Sequence, residues 1–231
     1  MILAINTSTP QFSLALLDGD GTLLTEQIMS GGKGHFKALM PALDFMLQSN
    51  GFKIDEVRCI GVATGPGSFT GLRVGIALAK GLCHALELPL VGISSLEAMA
   101  NQIPWADLPL VPVLTSRRGE AFTTLFRRGP RGELVRSGVD MSIKFEDFPS
   151  CFTEPAMFVG NDYRDQAPRI KDLLGPSALL APAFLWNLKA SSIGSLALKR
   201  FASGDLDDPY QLTPVYLRPP DIRPNPYLPI S

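Results

Sequence analysis

Residues 59–79 run CIGVATGPGSFTGLRVGIALA, an apolar segment, a turn rich in glycine and proline, then apolar residues at helical spacing. The segment Arg58 to Ala63 predicts a buried strand, and Leu72, Ile76, Ala79, Cys83 and Leu86 form the spine of a following helix. Upstream, Met1 to Ile5 and Phe12 to Leu17 read as apolar strands. Asp18-Gly19-Asp20-Gly21 is a hairpin turn, and Leu23 to Met29 returns as a third strand. From His35 the period changes: Phe36, Leu39, Met40, Leu43, Met46 and Leu47 follow one helical face, kinked or tightened at Pro41 and ended by Asn50-Gly51. Downstream, Leu90 to Ile93 is a strand, and Ser94 with Glu97 has capping-box spacing at the head of another helix. The first hundred residues therefore predict βββ-α-β-α-β-α, a mixed sheet carrying helices.

The rest is less regular. Val111 to Thr115 pairs with Glu120 to Phe126, Gly129-Pro130-Arg131-Gly132 turns into Leu134 to Val139, and Phe158 to Gly160 is a short strand. Ser191 to Ser203 is a helix ended by Gly204, and Pro214 to Arg218 is a candidate last strand. Five of the 13 residues from Pro219 to Ser231 are proline, which favours an extended tail. The organisation expected is one lobe over 1–105, a second over 106–218, and a Pro-rich tail over 219–231.

Lys and Arg number 21 against 22 Asp and Glu, a net charge of -1, which argues against a protein that grips nucleic acid unaided. Three cysteines, at 59, 83 and 151, exclude a disulfide framework, and with two histidines a zinc site is not expected. The opening MILAINTS has no basic or apolar leader pattern, and the richest apolar stretch, Ser177 to Leu188, is broken by Pro182. A reduced, cytoplasmic setting without membrane attachment is expected.

A glycine turn between a strand and a helix N-terminus is a ready anion site, because free N–H groups and the helix dipole point at the ligand. Gly65, Gly67, Ser68, Phe69, Thr70 and Arg73 are thus candidates for a nucleotide or phosphate loop. Neither the Walker A pattern nor G-x-G-x-x-G is present, and the competing reading is a tight turn whose glycines allow close helix–sheet packing. Gly71, Gly75, Ala79 and Cys83 recur every fourth residue, a small-residue stripe suited to internal packing or to a helix from another chain. No G-x-S-x-G elbow and no H-x-x-x-H pair occurs. Between 117 and 136, Arg117, Arg118, Arg127, Arg128, Arg131 and Arg136 face only Glu120 and Glu133, a cationic hairpin that is either a solvated face or an RNA-binding ridge.

Ile2 to Thr9 followed by Phe12-Ser13-Leu14-Ala15-Leu16, the run Gly65 to Gly75, Arg117-Arg118-Gly119-Glu120 and Pro214-Val215-Tyr216-Leu217-Arg218 together resemble the TsaB (YeaZ) family in order and position. The likeness is close over residues 1–100, patchy to about 190, and renewed at 214–218. It implies an α/β, actin-like or sugar-kinase-like (ASKHA) fold of two lobes with mixed sheets and helices. It also implies a part in making N6-threonylcarbamoyladenosine at position 37 of tRNA. In that family the chain is a non-catalytic subunit that binds and activates TsaD, works with the ATPase TsaE, and pairs with a second copy of itself. It meets tRNA through the complex only. No cofactor is implied for the chain itself; ATP and a divalent metal are expected on the partner subunits.

The resemblance places the partner interface on the two amphipathic helices, with Phe36, Leu39, Met40 and Leu43 on one and Gly71, Leu72, Gly75, Ile76 and Ala79 on the other. The related TsaD sequence carries His-Ile-Glu-Gly-His after the same helix and strand, with two metal ligands. This chain has Ser95-Leu96-Glu97-Ala98-Met99, and Ser95 and Met99 are not credible ligands for such a metal. Asn6 stands where the family usually has Asp, and Thr115 where an acid is usual; carboxylates there organise Mg²⁺ and the attacking water in actin-like ATPases. A pseudo-enzyme with no catalytic residue and no metal site is expected. The competing expectation is an enzyme in its own right, a nucleotide-dependent actin-like enzyme or a glycoprotease-like peptidase.

Overall fold

A computed structural model describes residues 1–30 and 35–219, and the Pro-rich segment beyond Pro219 lies outside the described residues. The chain runs β1 (Ile2–Asn6), β2 (Gln11–Leu17), β3 (Leu23–Ser30), α1 (Leu39–Ser49), β4 (Cys59–Gly65), α2 (Phe69–Leu86), β5 (Leu90–Ser94), α3 (Ser95–Asn101) and β6 (Leu110–Arg117). It continues through β7 (Glu120–Thr123), β8 (Phe126–Arg128), β9 (Leu134–Arg136), β10 (Met141–Lys144), α4 (Phe148–Cys151), β11 (Ala156–Gly160), α5 (Tyr163–Leu174), β12 (Ala178–Leu180) and α6 (Ala190–Ala202).

The first sheet has the order β3-β2-β1-β4-β5, and the second the path β10-β7-β6-β11-β12 with β8 and β9 on its flank. The two are built alike. β1 lies between antiparallel β2 and parallel β4 as β6 lies between antiparallel β7 and parallel β11; α2 joins β4 to β5 as α5 joins β11 to β12, and α3 and α6 follow the last strands. This internal duplication is hidden in the sequence, where only a loose β-then-α likeness links the halves.

Alternation along β1 and β4 explains the layering. Leu3, Ile5, Ile60 and Val62 face one core with α1 and α2, while Ile2, Ala4, Cys59 and Ala63 face another that continues into the second sheet. α3 leaves the first sheet to pack on β6 and β11, and α6 returns from the second to pack on β1, β2 and β4. The lobes therefore interlock. Residues from 190 on, which the sequence groups with the second lobe, lie on the first sheet: Val215 N–H donates to Thr64 O, and Asp207 bridges to Leu90.

Boundaries shift for local reasons. α2 begins at Phe69, two residues before Gly71, because the Ser68 side chain caps it by accepting from Gly71 N–H at 3.2 Å. The segment His35–Ala38 is a 3-10 turn that precedes α1, with Pro41 inside the first turn of the helix. Ser94 accepts from Glu97 N–H at 3.4 Å, half of the expected capping box. Glu120 to Phe126 divides into β7 and β8, and Pro214 to Arg218 is extended chain with a single backbone bond, not a strand.

Candidate functional site

The glycine turn meets the β1–β2 turn face to face. Ser68 N–H donates to Ser8 O at 2.7 Å, and Thr7 Oγ1 donates to Gly71 O at 2.7 Å. A methyl on Gly67 would overlap Ser8 O, and one on Gly71 or Gly75 would overlap Thr7. The competing expectation of a packing turn thus describes these glycines: the absent Cβ lets the loop close on Thr7 and Ser8. The small stripe of Gly71, Gly75, Ala79 and Cys83 is internal for the same reason, all four being buried. Among the members of the expected phosphate loop, Thr70 and Arg73 are exposed, Gly65 is buried, and Gly67, Ser68 and Phe69 border a cleft of about 330 Å³ between the lobes.

Thr115 and Ser116 floor that cleft from β6, and Val215 to Pro219 forms its other wall. The Arg73 guanidinium lies 3.9 Å over the Phe69 ring and donates from Nε to the Tyr216 hydroxyl at 3.1 Å; Tyr216 packs on Phe69 at 5.0 Å between centroids. Around Glu120, the Arg117 hydrogen bond holds the carboxyl below its usual range, with Arg218 and Lys144 adding to the effect.

The polar side chains at the ends of β1 and β6 are spent on partners within the chain. Asn6, fully buried, donates from Nδ2 to Leu188 O at 2.8 Å and Thr9 Oγ1 at 3.3 Å, and its Oδ1 accepts from Ser8 N–H at 3.0 Å and Ser8 Oγ at 2.8 Å. Thr115 donates from N–H and Oγ1 to Asn161 Oδ1, which also accepts from Gln166 Nε2. Ser95 and Met99 face the core and are fully buried, with no hydrogen-bond partner at Ser95 Oγ. Among the described residues no group of three or more His, Cys, Asp or Glu side chains could hold a metal. These residues do not fit a Mg²⁺–nucleotide complex: amide and hydroxyl groups already paired within the chain stand where carboxylates would be needed.

The helix faces divide the residues of the expected interface between the chain's own core and its surface. Leu39 and Leu43 of α1 and Gly71, Leu72, Gly75, Ile76 and Ala79 of α2 are buried within this chain's own first lobe, where the sheet needs a cover. Phe36 is half-buried against Phe12 at 6.4 Å between centroids. Met40 alone of the nine is open, at 52% exposure, because it lies off the face formed by Leu39, Ala42, Leu43, Met46 and Leu47.

The open apolar surface lies beside it. Phe45, at 62% exposure, lines a groove between α1 and β3 with Pro41, Ala42, Ile28 and Met29. On α2, Ala77, Gly81 and Ala85 make a second small ridge, and this one is exposed. Both had a sequence signal: Phe45 is an apolar residue out of phase with its helix, and Ala77-x3-Gly81-x3-Ala85 repeats the four-residue spacing of the buried stripe, whereas Met40 fits the helical period and only the structure sets it apart.

Half of the six arginines of the cationic hairpin are ion-paired. Arg117 pairs with Glu120, Arg127 with Glu154 and Arg136 with Asp140, while Arg128 donates to the carbonyls of Ile103 and Gly132. Surface pairs of this kind add little stability, but they consume the charge a phosphate backbone would need.

The family model for TsaD, the tRNA N6-adenosine threonylcarbamoyltransferase, matches residues 26–145. The Bacillus subtilis tRNA threonylcarbamoyladenosine biosynthesis protein TsaB is 33% identical over 220 residues, covering 94% of this chain and 93% of the relative. The solved structure of YeaZ from Pseudomonas aeruginosa is 25% identical with a TM-score of 0.74, covering 94% of this chain and 99% of that one. A more distant structure, the ADPNP-bound activator of 2-hydroxyisocaproyl-CoA dehydratase from Clostridium difficile, has a TM-score of 0.53 at 8% identity and shares the fold alone. With an actin-like, interlocked two-lobe fold and a third of its residues shared over nearly the full length of a relative, the chain belongs to the TsaB family.

Proposed function

We propose that the chain is a non-catalytic subunit that binds and activates the TsaD transferase in the formation of N6-threonylcarbamoyladenosine at position 37 of tRNA. The observation that carries this reading is the open apolar groove of Ile28, Met29, Pro41 and Phe45 with Met40 beside it. An exposed contiguous apolar surface next to a helix marks a docking face, and fully covering a Met or Phe side chain contributes about 1.5–3 kcal/mol each. The ridge of Ala77, Gly81 and Ala85 lets a partner helix approach α2 closely. A second copy of this chain competes for the same surface in the absence of TsaD.

Support for the absence of chemistry in this subunit comes from Asn6, Thr115, Ser95 and Met99, all engaged in the chain's own packing or hydrogen bonding or lacking ligand character. ATP and the divalent metal belong to the partner subunits, TsaE joins the assembled pair, and tRNA is met through the complex. No helix among the described residues is long and apolar enough to cross a membrane, and the cytoplasm is the proposed setting.

Co-purification with TsaD of the same organism, followed by tRNA modification and ATPase assays with and without the chain, tests the reading. The pair co-elutes, modification requires the chain, and the chain alone turns over no ATP. A chain that ignores TsaD yet hydrolyses a nucleotide or peptide alone overturns it in favour of an autonomous enzyme.

A further inference from the structure

The extended segment Pro214–Arg218 has no role in the partner face described above, yet it occupies one wall of the cleft between the lobes. Its seating is specific. Val215 N–H donates to Thr64 O at 2.8 Å, and Val215 O sits so close to Gly65 that a Cβ there would lie 2.6 Å from it. Tyr216 closes over the start of α2, ring against Phe69 and hydroxyl accepting from Arg73 Nε. The same stretch begins at the other end of α2, where Pro209 and Tyr210 border a groove with Lys80 and His84. The chain thus runs back along α2 from its last turn to its first.

The seating is also slight. Residues 213–219 form no helix or strand, Val215 and Tyr216 are 45% and 39% exposed, and one backbone hydrogen bond joins the segment to β4. Leu217 packs against the core, and the rest of the segment borders a cleft floored by Thr115 and Ser116. Few buried contacts and exposed backbone bonds are the features of a segment that opens well below the free energy of global unfolding. The lobes need no rearrangement for this, since the interlock of α3 and α6 lies elsewhere.

We propose that Pro214–Arg218 is a releasable strap, a peptide ligand carried in the same chain that closes the cleft between the lobes and opens without unfolding either of them. Release uncovers Phe69 and frees the Arg73 guanidinium at the head of α2. It also widens access to the half-buried Gly67, Ser68 and Ser116 for anything that enters between the lobes. This holds whichever partner α1 and α2 engage.

Native-state amide exchange on the full-length chain tests it. The Val215 amide exchanges through an opening insensitive to low denaturant, and faster than the amides of β1 and β4. Tyr216→Ala removes ring and hydroxyl together and speeds Val215 exchange about tenfold or more, leaving β1 and β4 unchanged. Tyr216→Phe, which keeps the ring, has a smaller effect, and Arg73→Ala, made on the exposed side of α2, reproduces it from the other half of the clamp. The strap is overturned if Val215 exchanges only at the global rate of β1 and β4. It is equally overturned if these variants leave Val215 protection unchanged or accelerate every amide alike.

Discussion

Restoring the acid at position 6 tests whether this chain has committed that site to structure. Asn6 is fully buried and uses both ends of its amide: two donations, to Leu188 O and Thr9 Oγ1, and two acceptances from Ser8. A carboxylate in its place keeps the acceptances and loses both donations. Each lost hydrogen bond costs about 1 kcal/mol, and the Leu188 carbonyl then faces a negative oxygen near 2.8 Å with only Ser13 Oγ still donating to it. Burying the charge adds at least about 1 kcal/mol more. Asn6→Asp should therefore destabilise the fold by about 3 kcal/mol at pH 7, or about 6–12 °C in Tm for a domain of this size. The sign of the pH dependence follows. Burial and the facing carbonyl raise the pKa of the introduced acid in the folded state above the ordinary carboxylate value, so the folded variant binds a proton more readily than the unfolded one. The deficit is greatest above the folded pKa and shrinks as pH falls toward the ordinary carboxylate value of about 4, where the protonated acid donates to Leu188 again. Urea unfolding of both chains at pH 7 and at about pH 4.5 measures this. A deficit below about 1 kcal/mol at pH 7, or one that grows on acidification, refutes the account of Asn6 as an obligatory donor.

Two further outcomes separate surface from core. Met40→Glu and Phe45→Glu should weaken association with TsaD at least about tenfold, since a charge left unpaired in a desolvated contact is costly. Each should leave Tm within about 2 °C of the unaltered chain, while Leu43→Glu, at a position 3% exposed, unfolds it; titration calorimetry and thermal melts read both, and an unchanged Kd places the docking face elsewhere. Burial pushes the Cys59 thiol up to about 12, with Cys83 adding to it, and the Cys83 thiol up to about 11, whereas Cys151 is exposed. Iodoacetamide at about pH 8 should label one thiol in the native chain and three after denaturation, and mass spectrometry showing Cys59 modified in the folded chain would contradict its burial.

The first lobe was legible because its signals are local. The apolar runs of β1 and β2, the Asp18–Gly21 turn and the 3.6-residue period of α1 each lie within one short window. The second lobe was legible only in part, with β6, β7, β9, β11 and α6 found and the rest missed for reasons its residues show. The helix Tyr163–Leu174 carries Pro168 and buries only Gln166, Ala167 and Ile170, a face too narrow to stand out as a period. The strands β8 and β12 are three residues each, too short for alternation to register. The interlock of α3 and α6 depends on contacts more than ninety residues apart, such as Ser192 Oγ donating to Ala98 O, which no window contains.

At the site, residue types were more informative than residue faces. Glycine at 67, 71 and 75 signalled a close approach, and only the structure could say that Thr7 and Ser8 are groups that approach them. The two possibilities look alike in sequence because both require a backbone without Cβ. The same ambiguity governs the interface: Leu39 and Met40 are adjacent apolar residues on one helix, but a step of about 100° turns one into the sheet and leaves the other in solvent. Covering the first sheet uses up the apolar residues that keep the helical period. Met40, at the margin of the buried face, and Phe45, off it, are left exposed, and the proposed partner surface accounts for buried-type side chains standing in water at those positions.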